Sequence, residues 1–125
     1  MCGIGGIIGL HKEIKISNIN IKKINESISH RGPDNQGIYI ENNIGFGHVR
    51  LSIIDLSEKS KQPMICEKSK SVITFNGEIY NYKALKDKLK KRGVKFNTSS
   101  DTEVLLKYYT NYGIKKTLLD IEGMF

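Results

Sequence analysis

The 125-residue sequence has no tryptophan, only two cysteines and two prolines, and no long apolar run. Two widely separated cysteines do not form the disulfide framework of a small secreted protein, and nothing at the amino terminus resembles a secretory leader. The lack of a long apolar run also argues against a membrane partner. We therefore expect a cytoplasmic protein with reduced thiols, in which Cys66 is a small apolar core residue.

The composition fits one domain, spanning 1–125, with an ordinary core. A chain of this length with 38% hydrophobic residues leaves no room for a second catalytic domain. The net charge of +7 would suit nucleic acid. However, most of the excess falls on one predicted helix as a solvated face, without interleaved aromatic residues to stack on bases, so we expect no nucleic-acid partner. These basic residues are Lys83, Lys86, Lys88, Lys90, Lys91, Arg92 and Lys95.

The first half of the chain predicts a strand, a helix and a hairpin. The apolar run 3–10 is short, as in a buried strand. Isoleucines recur at helical spacing after Ser17 and predict a helix of about three turns that stops before Gly32. The alternating segments on either side of Asn42 and Asn43 predict two strands joined by a tight turn.

The second half predicts one strand and two helices. Segment 71–76 predicts a strand that runs directly into Gly77. Apolar residues at helical spacing then predict a helix closed by Gly93. Ser100, followed three residues later by Glu103, is a capping box that starts a second helix. The apolar stripe of that helix consists of Val104, Leu105 and Tyr108. The mixture of helices and hairpin-joined strands predicts an α+β layer structure.

Two other kinds of site find little support in the sequence. The glycines near the amino terminus begin like a dinucleotide fingerprint, but Ile8 stands where the third glycine belongs and no strand comes before them. A zinc site built from Cys2, His30, His48 and Cys66 would lack the usual paired ligand spacings. We therefore expect neither a nucleotide nor a metal in this domain.

Cys2 combines a nucleophile with its own base. Cytosolic processing can remove Met1 before a small residue, which leaves Cys2 with a thiol and a free α-amine. An α-amine has a pKa of about 7.7 to 8.0, so a substantial neutral fraction can take the thiol proton near neutral pH. This arrangement is the cysteine counterpart of an N-terminal threonine nucleophile, and it needs no histidine.

Seven blocks carry a family resemblance that covers the chain: MCGIGGIIG, HRGPDNQGIY, GHVRLSIIDLS, QPM, FNGEIYNY, SDTEVLL and EGMF. They resemble class II glutamine amidotransferases and, within that class, the amino-terminal domain of asparagine synthetases. Amidotransferases that make glucosamine phosphate or phosphoribosylamine share Cys2 but not HRGPD, RLSIIDL or NGEIYN. The resemblance implies an N-terminal-nucleophile hydrolase fold, a four-layer αββα sandwich with antiparallel sheets that would be incomplete at its C-terminal end.

The resemblance also implies the catalytic groups. The Asn76 side-chain amide and the Gly77 N–H would form an oxyanion hole for the intermediate formed on Cys2. Arg50 would bind the α-carboxylate of glutamine with its planar guanidinium. The pocket would be lined by Leu51, Ser52, Ile53 and Ile54.

Two carboxylates complete the implied site. Glu78 and Asp101 would hold the α-amino group of glutamine. Asp101 also follows the Ser100 cap, where a negative charge stabilises any helix, so both roles are compatible. His30, Arg31 and Asp34 are interpreted as loop architecture near the site.

The implied reaction is hydrolysis of glutamine to glutamate and ammonia, without a cofactor in this domain. In the full-length family the ammonia passes to a synthetase domain, present in cis or in trans, that activates aspartate with ATP and Mg²⁺. Alternatives are a relative that amidates another acceptor, and a non-catalytic module that still binds glutamine. The resemblance leaves a homodimer open. Because several sheet strands of the family follow the position of Phe125, we expect little glutaminase activity from these 125 residues alone.

Overall fold

The computed structural model describes residues 2–51 and 60–125. These residues form two compact units. The first unit contains 2–51, 61–63 and 74–76, and the second contains 60, 64–73 and 77–125. The predictions for Ser52, Ile53 and Ile54, like that for Met1, lie outside the described residues. Within the described part of the chain, no helix is long and apolar enough to cross a membrane.

The first unit is built on a three-stranded antiparallel sheet. Its strands are β1 (Gly3–Ile8), β2 (Asn35–Glu41) and β3 (Ile44–Arg50), and β3 lies in the middle. Asn42 and Asn43 join β2 to β3 in a two-residue turn, with Asn42 at a φ of 52°. The predicted hairpin is therefore confirmed.

The sheet register brings two segments to the carboxyl end of β3. Gly3 of β1 lies opposite Val49, and Asn35 of β2 lies opposite Arg50. The Asp34 N–H donates to the Arg50 carbonyl oxygen at 3.0 Å. The beginnings of β1 and β2 therefore meet where β3 ends.

A helix packs on one face of this sheet, as the isoleucine spacing predicted. Helix α1 (Asn18–Ser27) starts after Ser17, whose N–H and hydroxyl donate to Oδ1 of Asn20 at 3.1 and 2.6 Å. One turn of 3₁₀ helix, Ser29–Arg31, follows, and Gly32 ends it.

Close packing of α1 depends on glycines in the strands beneath it. A Cβ on Gly5 would overlap Cγ2 of Ile24, and one on Gly47 would overlap Oδ1 of Asn25. Asn25 is fully buried in this layer. Larger residues at these glycines would push the helix off the sheet.

The prediction of a buried first strand is wrong for part of β1. Ile4 is 48% exposed and Ile8 is 64% exposed. Successive side chains of a strand point to opposite faces, and α1 covers only the face that carries Gly3 and Gly5. Alternate residues of β1 therefore face solvent.

The second unit contains two helices and two short ladders. Helices α2 (Tyr82–Lys90) and α3 (Asp101–Asp120) pack together around buried Leu85, Leu89 and Val104. The ladders pair β4 (Met64–Ile65) with β5 (Val72–Ile73), and β6 (Glu78–Ile79) with β7 (Gly123–Met124).

Both helices start largely as predicted, and α2 also ends as predicted. Gly93 follows α2 with a φ of 83°, and the Ser100 side chain caps α3 by accepting from the Glu103 N–H at 3.2 Å. Within the stripe of α3, Leu106 is more deeply buried than the predicted Leu105. Gly113, at a φ of 77°, interrupts the helical geometry of α3, which the sequence pattern did not indicate.

The predicted strand over 71–76 is wrong at its carboxyl end. Only Val72 and Ile73 pair in a ladder. The next three residues, 74–76, have no strand assignment and belong to the other compact unit. Their positions depend on side-chain hydrogen bonds from elsewhere in the first unit, which no local pattern reports.

Candidate active site

Cys2 lies half-buried immediately before β1. Its Sγ accepts a hydrogen bond from the Leu51 N–H at 3.4 Å and donates to the Leu51 carbonyl oxygen at 3.6 Å. The Arg31 Nε donates to the Cys2 carbonyl oxygen at 3.1 Å. Both the thiol and the backbone of Cys2 are therefore held in place by the first unit.

A cavity of about 430 Å³ is lined in part by residues that hydrogen bond to this cysteine. Among the described residues it is lined by His30, Arg31, Pro33 and Leu51. Two of these, Arg31 and Leu51, are the residues that hydrogen bond to Cys2. The volume falls within the usual range of small-molecule sites. The interpretation of His30 and Arg31 as loop architecture, and not as catalytic residues, stays a prediction.

Arg50 is the last residue of β3 and is half-buried. Since side chains alternate along a strand, Arg50 shares a sheet face with His48, whereas Gly47 faces α1. The next residue, Leu51, contacts Cys2. Arg50, at the end of β3, therefore directly precedes the residue that contacts the Cys2 thiol.

Asn76 follows a segment that lies on this same sheet face. The Phe75 N–H donates to Oε1 of Gln62 at 2.6 Å, and the His48 ring hydrogen bonds to the Phe75 backbone. Asn76 itself is half-buried. Within the first unit, the structure thus brings the residue before Asn76 onto the face of β3 that carries Arg50.

His48 is a buried, neutral histidine. Only 1% of its surface is exposed. Burial lowers its pKa to about 4, and the hydrogen bond with Phe75 opposes this shift while the nearby positive charge of Arg50 adds to it. Among the described residues, its Nε2 has no hydrogen-bond partner.

In the second unit, Asp101 lies next to the segment that carries Glu78. Asp101 is the first residue of α3 and is buried, and its Oδ2 accepts from the Ile79 N–H at 3.0 Å. Its Oδ1 accepts from the Thr102 N–H at 2.8 Å. Glu78 and the preceding Gly77 are exposed. Oδ2 retains a lone pair that can accept a further donor.

The loop before Asp101 is organised by Glu103. Its carboxylate accepts from the Asn97 N–H at 2.9 Å and from the Thr98 N–H at 2.7 Å, and it pairs with Lys107. Burial would raise the pKa of this carboxyl, but the hydrogen bonds from Lys107, Asn97 and Thr98 together lower it below its usual value. The sequence predicted Glu103 only as part of a helix cap, whereas in the structure its carboxylate also binds the backbone of the preceding loop.

The prediction of Cys66 as an apolar core residue is wrong. The residue is half-buried, and its thiol is surrounded by polar groups. Burial would raise the pKa of the Cys66 thiol, but hydrogen bonds from Ser69, Lys68 and Thr110 lower it overall. The cysteine following β4 therefore lies in a polar turn.

Two residues that contact the site segment received no role from the sequence. Gln62 belongs to the block QPM, and His48 stands between a glycine and a valine of β3. For His48 the available signal was a polar residue inside an apolar strand pattern, whereas Gln62 lies in an irregular stretch without such a pattern. The sequence does not reveal that Gln62 bonds to Phe75, because the two residues are 13 positions apart.

Comparisons with known proteins assign a family. The whole chain, residues 1–125, matches the family model described as a glutamine amidotransferase domain. It is 45% identical over 131 aligned residues to the putative asparagine synthetase (glutamine-hydrolyzing) 2 of Methanocaldococcus jannaschii, with 90% of this chain and 24% of that protein covered. It is 43% identical over 127 residues to asparagine synthetase (glutamine-hydrolyzing) 1 of Bacillus subtilis, covering 100% and 20%. Against asparagine synthetase (glutamine-hydrolyzing) 1 of Arabidopsis thaliana the identity is 36%, covering 91% and 19%.

The chain thus spans a quarter or less of the length of these relatives. The family model, in contrast, is matched along the whole chain. The chain therefore belongs to the family of glutamine amidotransferase domains.

Proposed function

We propose that this domain hydrolyses glutamine to glutamate and ammonia, with Sγ of Cys2 as the nucleophile. The observation that carries the proposal is the position of this sulfur. It hydrogen bonds to the backbone of Leu51, directly after Arg50, and Leu51 also lines a cavity of about 430 Å³. The relatives named as glutamine-hydrolyzing enzymes support the same substrate.

The first half of the reaction forms a thioester. After removal of Met1, the α-amine of Cys2 takes the proton from Sγ, and the thiolate attacks the side-chain carbonyl carbon of glutamine. The carbonyl oxygen becomes negative and is stabilised by the Asn76 amide and the Gly77 N–H. The α-ammonium then gives its proton to the leaving nitrogen, the C–N bond breaks, and ammonia departs.

The second half returns the enzyme to its starting state. A water molecule gives a proton to the α-amine and attacks the thioester carbon. The C–S bond breaks, the sulfur regains its proton, and glutamate leaves. The reaction consumes one water for each glutamine and requires no oxidant or reductant.

Charged side chains hold glutamine during these steps. Arg50 binds the α-carboxylate with two parallel N–H groups. Glu78 and Asp101 bind the α-ammonium, and the arrangement of Asp101 beside Ile79 supports this pairing. The family resemblance supports Leu51, Ser52, Ile53 and Ile54 as the proposed lining of the remaining pocket.

The wider setting is also part of the proposal. Ammonia would pass to a synthetase domain, in cis or in trans, that activates aspartate with ATP and Mg²⁺. The described residues contain no cluster of three or more His, Cys, Asp or Glu that could hold a metal ion. The domain would adopt the four-layer αββα sandwich, in a cytoplasmic protein that can form a homodimer.

A glutamine analogue with an electrophilic ketone tests the nucleophile. In the full natural protein, we expect one adduct per chain, located on Cys2 by peptide mapping and prevented by excess glutamine. Cys2→Ala should abolish both labelling and glutamate release while glutamine still binds. The matched control is Cys66→Ala, which should retain both activities. Labelling of Cys66, or hydrolysis by Cys2→Ala, would contradict the proposal.

The base is tested by keeping Met1 in place. Substituting the second residue to block removal of Met1 would also remove the nucleophile Cys2. The enzyme that removes Met1 should therefore be inhibited during expression. Intact-mass measurement should then show Met1, and glutamate release should disappear, since an acylated α-nitrogen cannot accept a proton. Full activity in a protein that retains Met1 would refute the α-amine as base.

A further inference from the structure

We propose that His48 and Gln62 are positioning residues that direct the Asn76 side chain by holding both peptide groups of Phe75. The inference rests on the proposed glutamine hydrolysis, in which Asn76 donates to the oxyanion. It adds two residues to that reaction that act through the backbone and do not touch the substrate.

The two contacts enclose the residue that precedes Asn76. Oε1 of Gln62 accepts from the Phe75 N–H at 2.6 Å. The ring of His48 hydrogen bonds to the Phe75 backbone, and since the N–H is already used by Gln62, the carbonyl oxygen is the acceptor. That carbonyl belongs to the peptide joining Phe75 to Asn76. Rotation of this peptide would swing the Asn76 side chain away from its place.

The segment needs this support because no ladder holds it. The β4–β5 ladder ends at Ile73, and residues 74–76 have no strand assignment. Besides the contacts to Phe75, the Thr74 hydroxyl makes a long contact of 3.5 Å to the Gly47 carbonyl oxygen. An oxyanion donor must lie about 2.7 to 3.1 Å from the developing charge, and catalytic groups tolerate only about half an ångström of error. Side chains therefore supply the rigidity that strand pairing supplies elsewhere.

Glycine 37 explains how Gln62 reaches this position. Gly37 of β2 lies directly opposite His48 of β3, so both occupy the same sheet face. A Cβ on Gly37 would overlap the carbonyl oxygen of Gln62. The Gln62 backbone thus occupies the space of the missing side chain, next to His48. From there its amide reaches the Phe75 N–H.

The burial of His48 supports a directed role. It is 1% exposed, and among the described residues its Nε2 has no partner, so Nδ1 is the nitrogen that donates. Leaving a buried ring nitrogen unpaired is unfavourable, and an apolar side chain would avoid that cost. The hydrogen bond from Nδ1 to the Phe75 backbone requires a donor at position 48, which an apolar side chain lacks.

Paired substitutions at His48 test the donor. In the full natural protein, His48→Leu should lower kcat for glutamine about 10- to 100-fold, with KM changed less than about threefold, because a transition-state contact is misplaced. His48→Asn places an amide nitrogen where Nδ1 lies and should restore most of kcat. Equal losses in His48→Asn and His48→Leu would overturn the role of this donor.

Gln62 supplies an independent test if a His48 variant does not fold. Gln62→Met keeps the length of the side chain but removes the acceptor, and it should also lower kcat without raising KM. Gln62→Glu keeps an acceptor oxygen and should retain more activity than Gln62→Met. If Gln62→Glu were no more active than Gln62→Met, the role of Gln62 as an acceptor would be refuted.

A double-mutant cycle separates positioning from general damage. If both residues act through Asn76, then adding His48→Leu or Gln62→Met to Asn76→Ala should lower kcat by less than about threefold further. If the loss of kcat in a double variant equalled the product of the losses in the two single variants, the positioning role would be overturned. Thr117→Val, which removes a buried hydrogen bond in α3, is the control and should change neither kcat nor KM.

The same cycle distinguishes the two proposals. Asn76→Ala alone should lower kcat about 10²- to 10³-fold. An unchanged kcat in Asn76→Ala would refute the oxyanion assignment within the proposed function, and the positioning role would fall with it. A normal loss in Asn76→Ala together with full activity in His48→Leu and Gln62→Met would refute the positioning role alone.

Discussion

Arg50 has one task in the proposed site, recognition of the glutamine carboxylate. Removing one partner of a desolvated charge pair typically costs about 2 to 5 kcal/mol, so Arg50→Ala should weaken glutamine binding by well over tenfold. Arg50→Lys should recover only part of the affinity, because an ammonium cannot bind both carboxylate oxygens in parallel. Titration calorimetry in a Cys2→Ala background measures binding without turnover.

The control for this substitution is an exposed cation of the second unit. Lys90 lies on the solvated face of α2, and Lys90→Ala should bind glutamine normally. Normal glutamine affinity in Arg50→Ala would show that another group binds the carboxylate.

Among the larger elements, the amino-terminal turn of α3 contains both the helix cap and the proposed glutamine ligand Asp101. Glu103 holds the Asn97 and Thr98 amides, and two residues earlier Asp101 bonds to Ile79. Glu103→Ala should cost about 1 to 3 kcal/mol of stability because it removes the buried acceptor of the Asn97 and Thr98 amides. It should also weaken glutamine binding, since the loop that leads into the proposed ligand Asp101 loses these hydrogen bonds.

Urea unfolding and hydrogen exchange measure these effects. The amides of Asn97 and Thr98 should exchange faster in Glu103→Ala, and Glu103→Gln should be less affected because one acceptor oxygen remains. The exposed Glu122 provides the matched control, and Glu122→Ala should change stability by less than about 0.5 kcal/mol. If Glu103→Ala were equally mild, the loop would be held by other contacts.

For the whole molecule, buried His48 makes the stability depend on pH. The unfolded chain protonates this histidine below about pH 6.5, whereas the folded chain resists protonation until its pKa of about 4. Stability should therefore fall as the pH falls through this window, by about 2 kcal/mol between pH 7 and pH 5. Glu103 and Asp120, whose pKa values are lowered, add losses only in more acidic solution.

Urea titrations of the folded protein at several pH values above 5 test this dependence. His48→Asn replaces the buried imidazole with an amide that does not titrate, so its stability should vary less over the same range. The same slope in His48→Asn and the natural protein would assign the effect to another group.

Local signals in the sequence determined most helices and the hairpin. Ser17 and the Ser100–Glu103 pair mark helix starts, and Asn42 marks a turn, because capping and turn geometry involve residues only a few positions apart. These elements form as predicted. The motif blocks likewise identified the family and named Cys2 and Arg50 without any coordinates.

Only the tertiary structure decided where these elements lie and which side chains support the site. The exposure of Ile4 depends on which sheet face α1 covers, and the end of β5 at Ile73 depends on a short partner strand. The Cys2 sulfur meets Leu51 across 49 residues, and Phe75 meets Gln62 across 13. Such contacts are set by the packing of distant segments, and periodicity within a short window contains no information about them.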